Sequence, residues 1–111
     1  MFNSFKYAFR GIKEALTTED NLVFHFMASL FVLIFAYFFN FSLVEFSIVV
    51  ITILFVIIAE IINTIIERLS DIINPEKSEK IRIIKDMSAA TVLLSAVCSI
   101  VIVILLFLPK L

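Results

Sequence analysis

Residues 46–66 read FSIVVITILFVIIAEIINTII, from Phe46 to Ile66. As far as Ala59 the stretch is apolar except for Ser47 and Thr52, and then it carries Glu60, Asn63 and Thr64. A helix that crosses a bilayer needs ~20 mostly apolar residues, so this run predicts a transmembrane helix whose last third is polar. The polar positions continue through Glu67 to Asp71. Their intervals from Glu60 are 3, 4, 7 and 11, which places all five on one side of a helix. Asn63 and Thr64 alone would read as hydrogen-bonding contacts between helices. Two carboxylates on the same face fit that role poorly, because an ionisable group in a span costs ~3 kcal/mol or more and needs a partner, a cation or a chemical task.

Outward from this stretch, two further spans are predicted at about 22–40 and 87–108. The first is interrupted by His25 and Ser29 and ends at the turn Asn40-Phe41-Ser42. The last stops at Pro109-Lys110. Between spans two and three lies a polar segment, Glu67 to Asp86, with Asn74-Pro75 as its turn signal. In residues 1–18, Phe2, Phe5, Phe9, Ile12 and Leu16 recur at helical spacing, with Lys6, Arg10 and Lys13 elsewhere around the wheel. That pattern predicts a helix lying in the membrane interface; the alternative is a helix packed on another protein. The apolar run there is too short for a signal peptide. The expected fold is therefore all-α: one membrane-embedded domain over 1–111, with an interfacial helix and three transmembrane helices.

Eight of the nine Lys and Arg residues precede span one or lie between spans two and three, and only Lys110 falls on the other side. Positive charge marks the inner face, so the N-terminus and the second connection are expected in the cytoplasm and the C-terminus outside. The composition agrees with a membrane chain. Of 111 residues 62% are hydrophobic and 17% charged, and mean hydropathy is +1.14, against ~45–50% and ~25% in soluble domains. A net charge of −1 gives no pull toward nucleic acid. One cysteine, Cys98, leaves no disulfide within the chain and no cysteine zinc site. Gly11 is the one glycine, which excludes the glycine-rich phosphate loops of soluble kinases and dinucleotide-binding domains. A nucleotide here must be held by side chains and metal.

Other charged groups converge on the depth where the stripe leaves the membrane. Glu19, Asp20 and Asn21 stand where the interfacial helix meets span one, and Lys85 and Asp86 stand at the mouth of span three. Oxygen-rich clusters beside cations suggest Mg²⁺ and a phosphate-bearing ligand. Plainer roles compete with this: orientation signalling for Lys85, and helix capping for Glu19, which Asp20 could serve equally. Ser88, Ala89, Ala90, Ser95, Ala96 and Ser99 favour close helix packing, either between chains or within one. His25 could touch the edge of the site, and Cys98 reads as packing.

The run Ala59-Glu60-Ile61-Ile62-Asn63-Thr64-Ile65-Ile66-Glu67 with Asp71 resembles the signature of the bacterial diacylglycerol kinase and undecaprenol kinase family. Lys85-Asp86-Met87-Ser88-Ala89-Ala90 resembles its second motif, and Glu19 falls where the family has a metal-binding glutamate. The likeness covers essentially the whole chain. It implies a homotrimer with active sites shared between neighbouring subunits, transferring the γ-phosphate of ATP to a lipid hydroxyl. On this resemblance Glu60 is the general base, Asn63 lies by the transferring phosphoryl group, and Glu19 and Glu67 hold Mg²⁺. Asp71 supports the nucleotide side, and Lys85 and Asp86 contact the nucleotide. Tyr7, Glu76, Lys77 and Ser78 match positions near the nucleotide, while Arg10, His25 and Glu60 belong to the lipid side. The pattern Glu19-Asp20-Asn21-x-x-x-His25 is similar to the undecaprenol branch, with diacylglycerol as the alternative acceptor.

Two other function classes remain as alternatives. A small proton-coupled exporter would have four spans and an essential carboxylate near the midplane. A non-catalytic assembly subunit would tolerate loss of the Glu60 carboxylate.

Overall fold

The computed structural model describes residues 1–73 and 78–111 of the chain, and among these it is helical almost throughout. Helix α1 is Phe2–Thr18, α2 is Asp20–Phe38, α3 is Leu43–Ile73 and α4 is Glu79–Phe107, followed by a 3₁₀ turn at Leu108–Lys110. Three helical runs, Asp20–Phe38, Leu43–Ile73 and Glu79–Lys110, are long and apolar enough to cross a membrane. The exporter reading expects four. Helix α3 is central: α4 packs along it, α2 packs on it more sparsely, and α1 touches the start of α2.

The bounds differ from those expected at 46–66 and 87–108. Helix α3 runs on to Ile73 and α4 already begins at Glu79, because hydropathy marks where lipid ends and not where hydrogen bonding ends. No Gly or Pro interrupts residues 67–73 or 79–86. The Ser78 hydroxyl caps α4 by accepting from the Ile81 amide at 3.2 Å, and Arg82 pairs with Glu79 and, at 2.7 Å, with Asp86. Thirty-one residues make a helix of ~46 Å against a hydrocarbon layer of ~30 Å. Glu67, Asp71, Lys85 and Asp86 therefore stand on helical extensions at what we call the charged end. The expected turn at Asn74-Pro75, with Glu76 and Lys77, lies outside the described residues.

The opposite end is the packed apolar end. Helix α2 stops at Phe38, short of the expected residue 40, because Asn40 adopts the left-handed conformation with φ 58°. The Phe41 amide then donates to the Ala36 carbonyl at 3.1 Å and the Asn40 amide to Tyr37 at 3.2 Å, which is the double closure of a Schellman motif. Ser42 and Glu45 start α3 as a capping box, with reciprocal bonds of 2.9 and 3.1 Å. Phe41 stacks against Phe107 at 4.6 Å and joins Ala36 and Val49 in the core, and Lys110 reaches Glu45 at 3.0 Å. A β-branched side chain is poorly suited to the Asn40 backbone. Asn40→Val should lower stability by about 1–2 kcal/mol, whereas Asn40→Gly should be near neutral. Unfolding midpoints of the two variants in micelles test this, and equal midpoints would contradict it.

Helix α1 leaves Phe2, Phe5 and Phe9 uncovered by the rest of the chain, as an apolar face that seeks a membrane or a partner must. The small residues of α4 divide in two. Ser88 and Ser95 are buried and Ala96 and Ser99 half-buried, while Ala89 and Ala90 are exposed. Packing within the chain thus accounts for the first four.

Candidate active site

Helix α3 carries the row Glu60, Asn63, Glu67 and Asp71, whose members meet neighbours on α2 and α4 or one another. Glu60 is buried. Its Oε2 lies 3.8 Å from Nε2 of His25 on α2, too long for a hydrogen bond and close enough for electrostatic contact. One turn along, the Asn63 amide is held at both ends. Its Nδ2 donates to Glu67 Oε1 at 3.1 Å and its Oδ1 accepts from the Ser88 hydroxyl of α4 at 2.8 Å. Two turns beyond Asn63, Lys85 of α4 donates to Asp71 Oδ1 at 2.5 Å. Thr64, also on the expected stripe, bonds back to the Glu60 carbonyl at 3.1 Å and, among the described residues, orients no other side chain.

Glu19 is the single extended residue between α1 and α2, with φ −119° and ψ 105°. It occupies the cap position of α2, yet its side chain makes no capping bond. Its Oε1 instead accepts from Arg68 Nη2 at 3.1 Å. Arg68 follows Glu67 on α3, so Glu19 is tied to the charged end of the same helix. Capping does not explain Glu19.

Not every expected site residue joins this row within one chain. Tyr7 and Arg10 meet each other on α1, with the guanidinium 5.5 Å from the ring centroid. Arg10 lies roughly opposite the α1 face that turns toward α3 at Ala8, Gly11 and Ala15. Ser78 serves as the α4 cap, and Asp86 is bound by Arg82 at 2.7 Å. Glu76 and Lys77 lie outside the described residues. Two residues that sequence reasoning assigned elsewhere enter the site: Ser88, read as packing, orients Asn63, and Arg68, read as an orientation signal, holds Glu19. The available signal for Arg68 was that it is the one cation on α3 and follows Glu67 directly.

Among the described residues no three His, Cys, Asp or Glu side chains come together as a metal cage. Mg²⁺ does not require one, since it takes one or two carboxylates and completes its shell with waters and phosphate oxygens. Glu19 and Glu67 each have one oxygen engaged, by Arg68 and by Asn63 respectively. Each keeps a second hard oxygen, so the donor chemistry fits such an ion. The buried end of the site is apolar. A cavity of about 120 Å³ opens beside His25 between α2, α3 and α4, walled by Ala28, Val32, Val49, Val56 and Val103. Its hydroxyls, Ser29, Thr52 and Ser99, bond to carbonyls of their own helices at 2.6, 2.7 and 2.7 Å. The site thus combines a buried carboxylate, an oriented amide and paired charges at one end with an apolar chamber at the other.

Comparison with known proteins gives likenesses of one kind. The family model described as prokaryotic diacylglycerol kinase matches residues 6–107. The chain is 38% identical over 110 residues to the undecaprenol kinase of Bacillus subtilis (strain 168), covering 99% of this chain and 89% of that protein. It is 29% identical over 109 residues to a diacylglycerol kinase of a Synechocystis species, covering 97% of this chain and 62% of that one, under two thirds of its length.

Proposed function

Since the chain belongs to the prokaryotic diacylglycerol kinase family and is a lipid kinase that uses ATP, we propose that its acceptor is undecaprenol and its product undecaprenyl phosphate. The observation that carries the reading is the row on α3, in which a buried Glu60, facing the His25 that lines an apolar chamber, leads through Asn63 and Glu67 to Asp71 and its α4 partner Lys85 at the charged end. A lipid hydroxyl approaches such a row from the membrane and ATP from water. The choice of undecaprenol over diacylglycerol is supported by the likeness to the Bacillus protein over 99% of this chain.

In the proposed reaction Glu60 takes the proton of the lipid hydroxyl. The freed oxygen bonds to the γ-phosphorus, the bond from that phosphorus to the bridging oxygen breaks, and ADP leaves. Phosphoryl transfer depends chiefly on position and charge neutralisation. Asn63, fixed at both ends, holds a donor toward the transferring group, and Lys85 supplies positive charge steadied by Asp71. Mg²⁺, held by Glu19 and Glu67, would neutralise and align the phosphate oxygens when bound. His25 stands on the lipid side of Glu60, with Arg10 farther out on α1, and Tyr7, Glu76, Lys77, Ser78 and Asp86 belong to the nucleotide side. The working assembly is a homotrimer with sites shared between neighbours, which would bring Tyr7 and Arg10 to a row their own chain does not offer them. Helix α1 lies in the interface of the bacterial cytoplasmic membrane, and the charged end faces the cytoplasm, in keeping with the distribution of Lys and Arg.

The test is transfer of labelled γ-phosphate from Mg-ATP in mixed micelles, with undecaprenol and diacylglycerol offered separately and in competition. We expect label on undecaprenol in preference. A preference for diacylglycerol overturns the acceptor assignment, and no label on either lipid overturns the reading of the site.

A further inference from the structure

Helix α1 is weakly seated on the rest of the chain. It buries no residue, and the face it turns to α3 centres on the small residues Ala8, Gly11 and Ala15, with Ile12 and Glu14 at its edges and the gap left unfilled. A crevice of about 360 Å³ remains there, bounded on α3 by Ile61, Thr64 and Ile65. A Cβ at Gly11 would meet nothing within 4 Å. Packing therefore does not fix the angle at which α1 meets α2, and the hinge between them is the extended residue Glu19.

At the end of the crevice one side chain spans the junction. Arg68 Nη2 donates to Thr18 Oγ1 at 2.5 Å and to Glu19 Oε1 at 3.1 Å. Nη1 lies 3.8 Å from Glu14 Oε1. Thr18 passes the constraint on, since its hydroxyl donates to the Glu14 carbonyl at 2.7 Å. The guanidinium thus engages the last turn of α1 and the hinge residue together, with a planar fork that a lysine cannot reproduce.

We infer that Arg68 is a positioning residue: it clasps the α1–α2 hinge to α3 and thereby fixes the Glu19 carboxylate at the charged end of α3. Surface ion pairs contribute little stability, so the consequence is geometric. With Oε1 on Arg68, the carboxylate is anchored and Oε2 is left for a ligand. Without the clasp Glu19 rides on a hinge that the crevice leaves free to swing. The inference rests on the proposed place of Glu19 on the metal and nucleotide side.

The test compares Arg68→Gln, Arg68→Lys and the control Lys80→Gln, which removes a positive charge from the same end without touching the hinge. Amide hydrogen exchange in micelles should speed up across residues 14–20 in Arg68→Gln and not in the control. The KM for Mg-ATP should rise by about tenfold, the lower end of what loss of a partner behind a metal ligand causes, while the KM for the lipid stays put. Arg68→Lys should recover part of both effects. Unchanged exchange and unchanged KM in Arg68→Gln overturn the inference. So does an equal loss toward both substrates with no recovery in Arg68→Lys, which would make Arg68 a plain stability contact. Should Arg68→Gln fail to fold, the decision passes to Arg68→Lys, where parent-like exchange and KM overturn the inference and an intermediate shift in both supports it. The exchange result stands whether or not Glu60 is the base, so failure of this inference is distinct from failure of the proposed reaction.

Discussion

Glu60→Gln is expected to reduce phosphoryl transfer by about 10²–10⁴-fold, the range a positioned general base supplies, while the protein still inserts, assembles and unfolds as the parent does. The two side chains have the same shape, so the chamber beside His25 is not reshaped. The amide can still face His25 across the 3.8 Å gap now bridged by Oε2. What is lost is the site that receives a proton. The base must lie where water is scarce, since bulk water would compete with the lipid as acceptor of the phosphoryl group. Glu60 is 7% exposed, whereas Glu79 and Asp86 at the charged end are open to solvent.

The control is Glu45→Gln, which removes a carboxylate from the opposite end, where Lys110 holds it at 3.0 Å. Initial rates of label transfer at saturating Mg-ATP and lipid make the comparison. Loss in Glu60→Gln with retention in Glu45→Gln assigns the effect to place and not to net charge. Full activity in Glu60→Gln would remove Glu60 from the reaction and favour the non-catalytic assembly reading.

Much of the fold was legible because a bilayer forces it. Backbone groups in hydrocarbon must be satisfied within the segment, so three apolar runs of sufficient length mean three helices. The ends were less legible. Hydropathy falls at Glu67 and recovers at Met87, but nothing between Glu67 and Ile73 or between Glu79 and Asp86 interrupts a helix. The junction at Glu19 was legible as the place where the interfacial helix meets span one, but its extended backbone was not, since Glu19-Asp20-Asn21 contains neither Gly nor Pro.

The site divides in the same way. Spacing on α3 predicted that Glu60, Asn63, Glu67 and Asp71 share a face, and they do. Spacing does not say how a helix is rotated against its neighbours. The expected stripe spans an arc of about 100°, with Glu60 inside it between Asn63 and Asp71, so angle alone assigns no neighbour and position along the helix decides. Hence Glu60 meets His25 while Asn63 and Asp71 meet Ser88 and Lys85. Serine on an apolar helix reads equally as packing and as a donor, and only the register of α4 against α3 decides. Tyr7 and Arg10 show the limit of one chain: their partner in the structure is each other.

The amide of Asn63 carries the second large effect. Asn63→Asp should lower kcat by about 10²-fold, the scale on which loss of one oriented donor at a transferring centre is felt. Aspartate keeps the size and can still accept from Ser88, so the contact between α3 and α4 survives. It cannot donate to Glu67, and in ionised form it sets a second carboxylate against the one Asn63 now holds at 3.1 Å. The repulsion turns Glu67 away from its present place and removes a donor from the row in the same step. Ser88→Ala is the informative companion. It deletes only the 2.8 Å bond that fixes the far end of the amide, so the donor remains but its orientation loosens, and a loss of about tenfold is expected. The two variants thus separate having the donor from aiming it. Rates at saturating substrates, with size-exclusion profiles to confirm unchanged assembly, measure both. If Ser88→Ala costs as much as Asn63→Asp, the bond matters through helix packing; if neither variant loses rate, Asn63 is an interhelical contact and stands outside the chemistry.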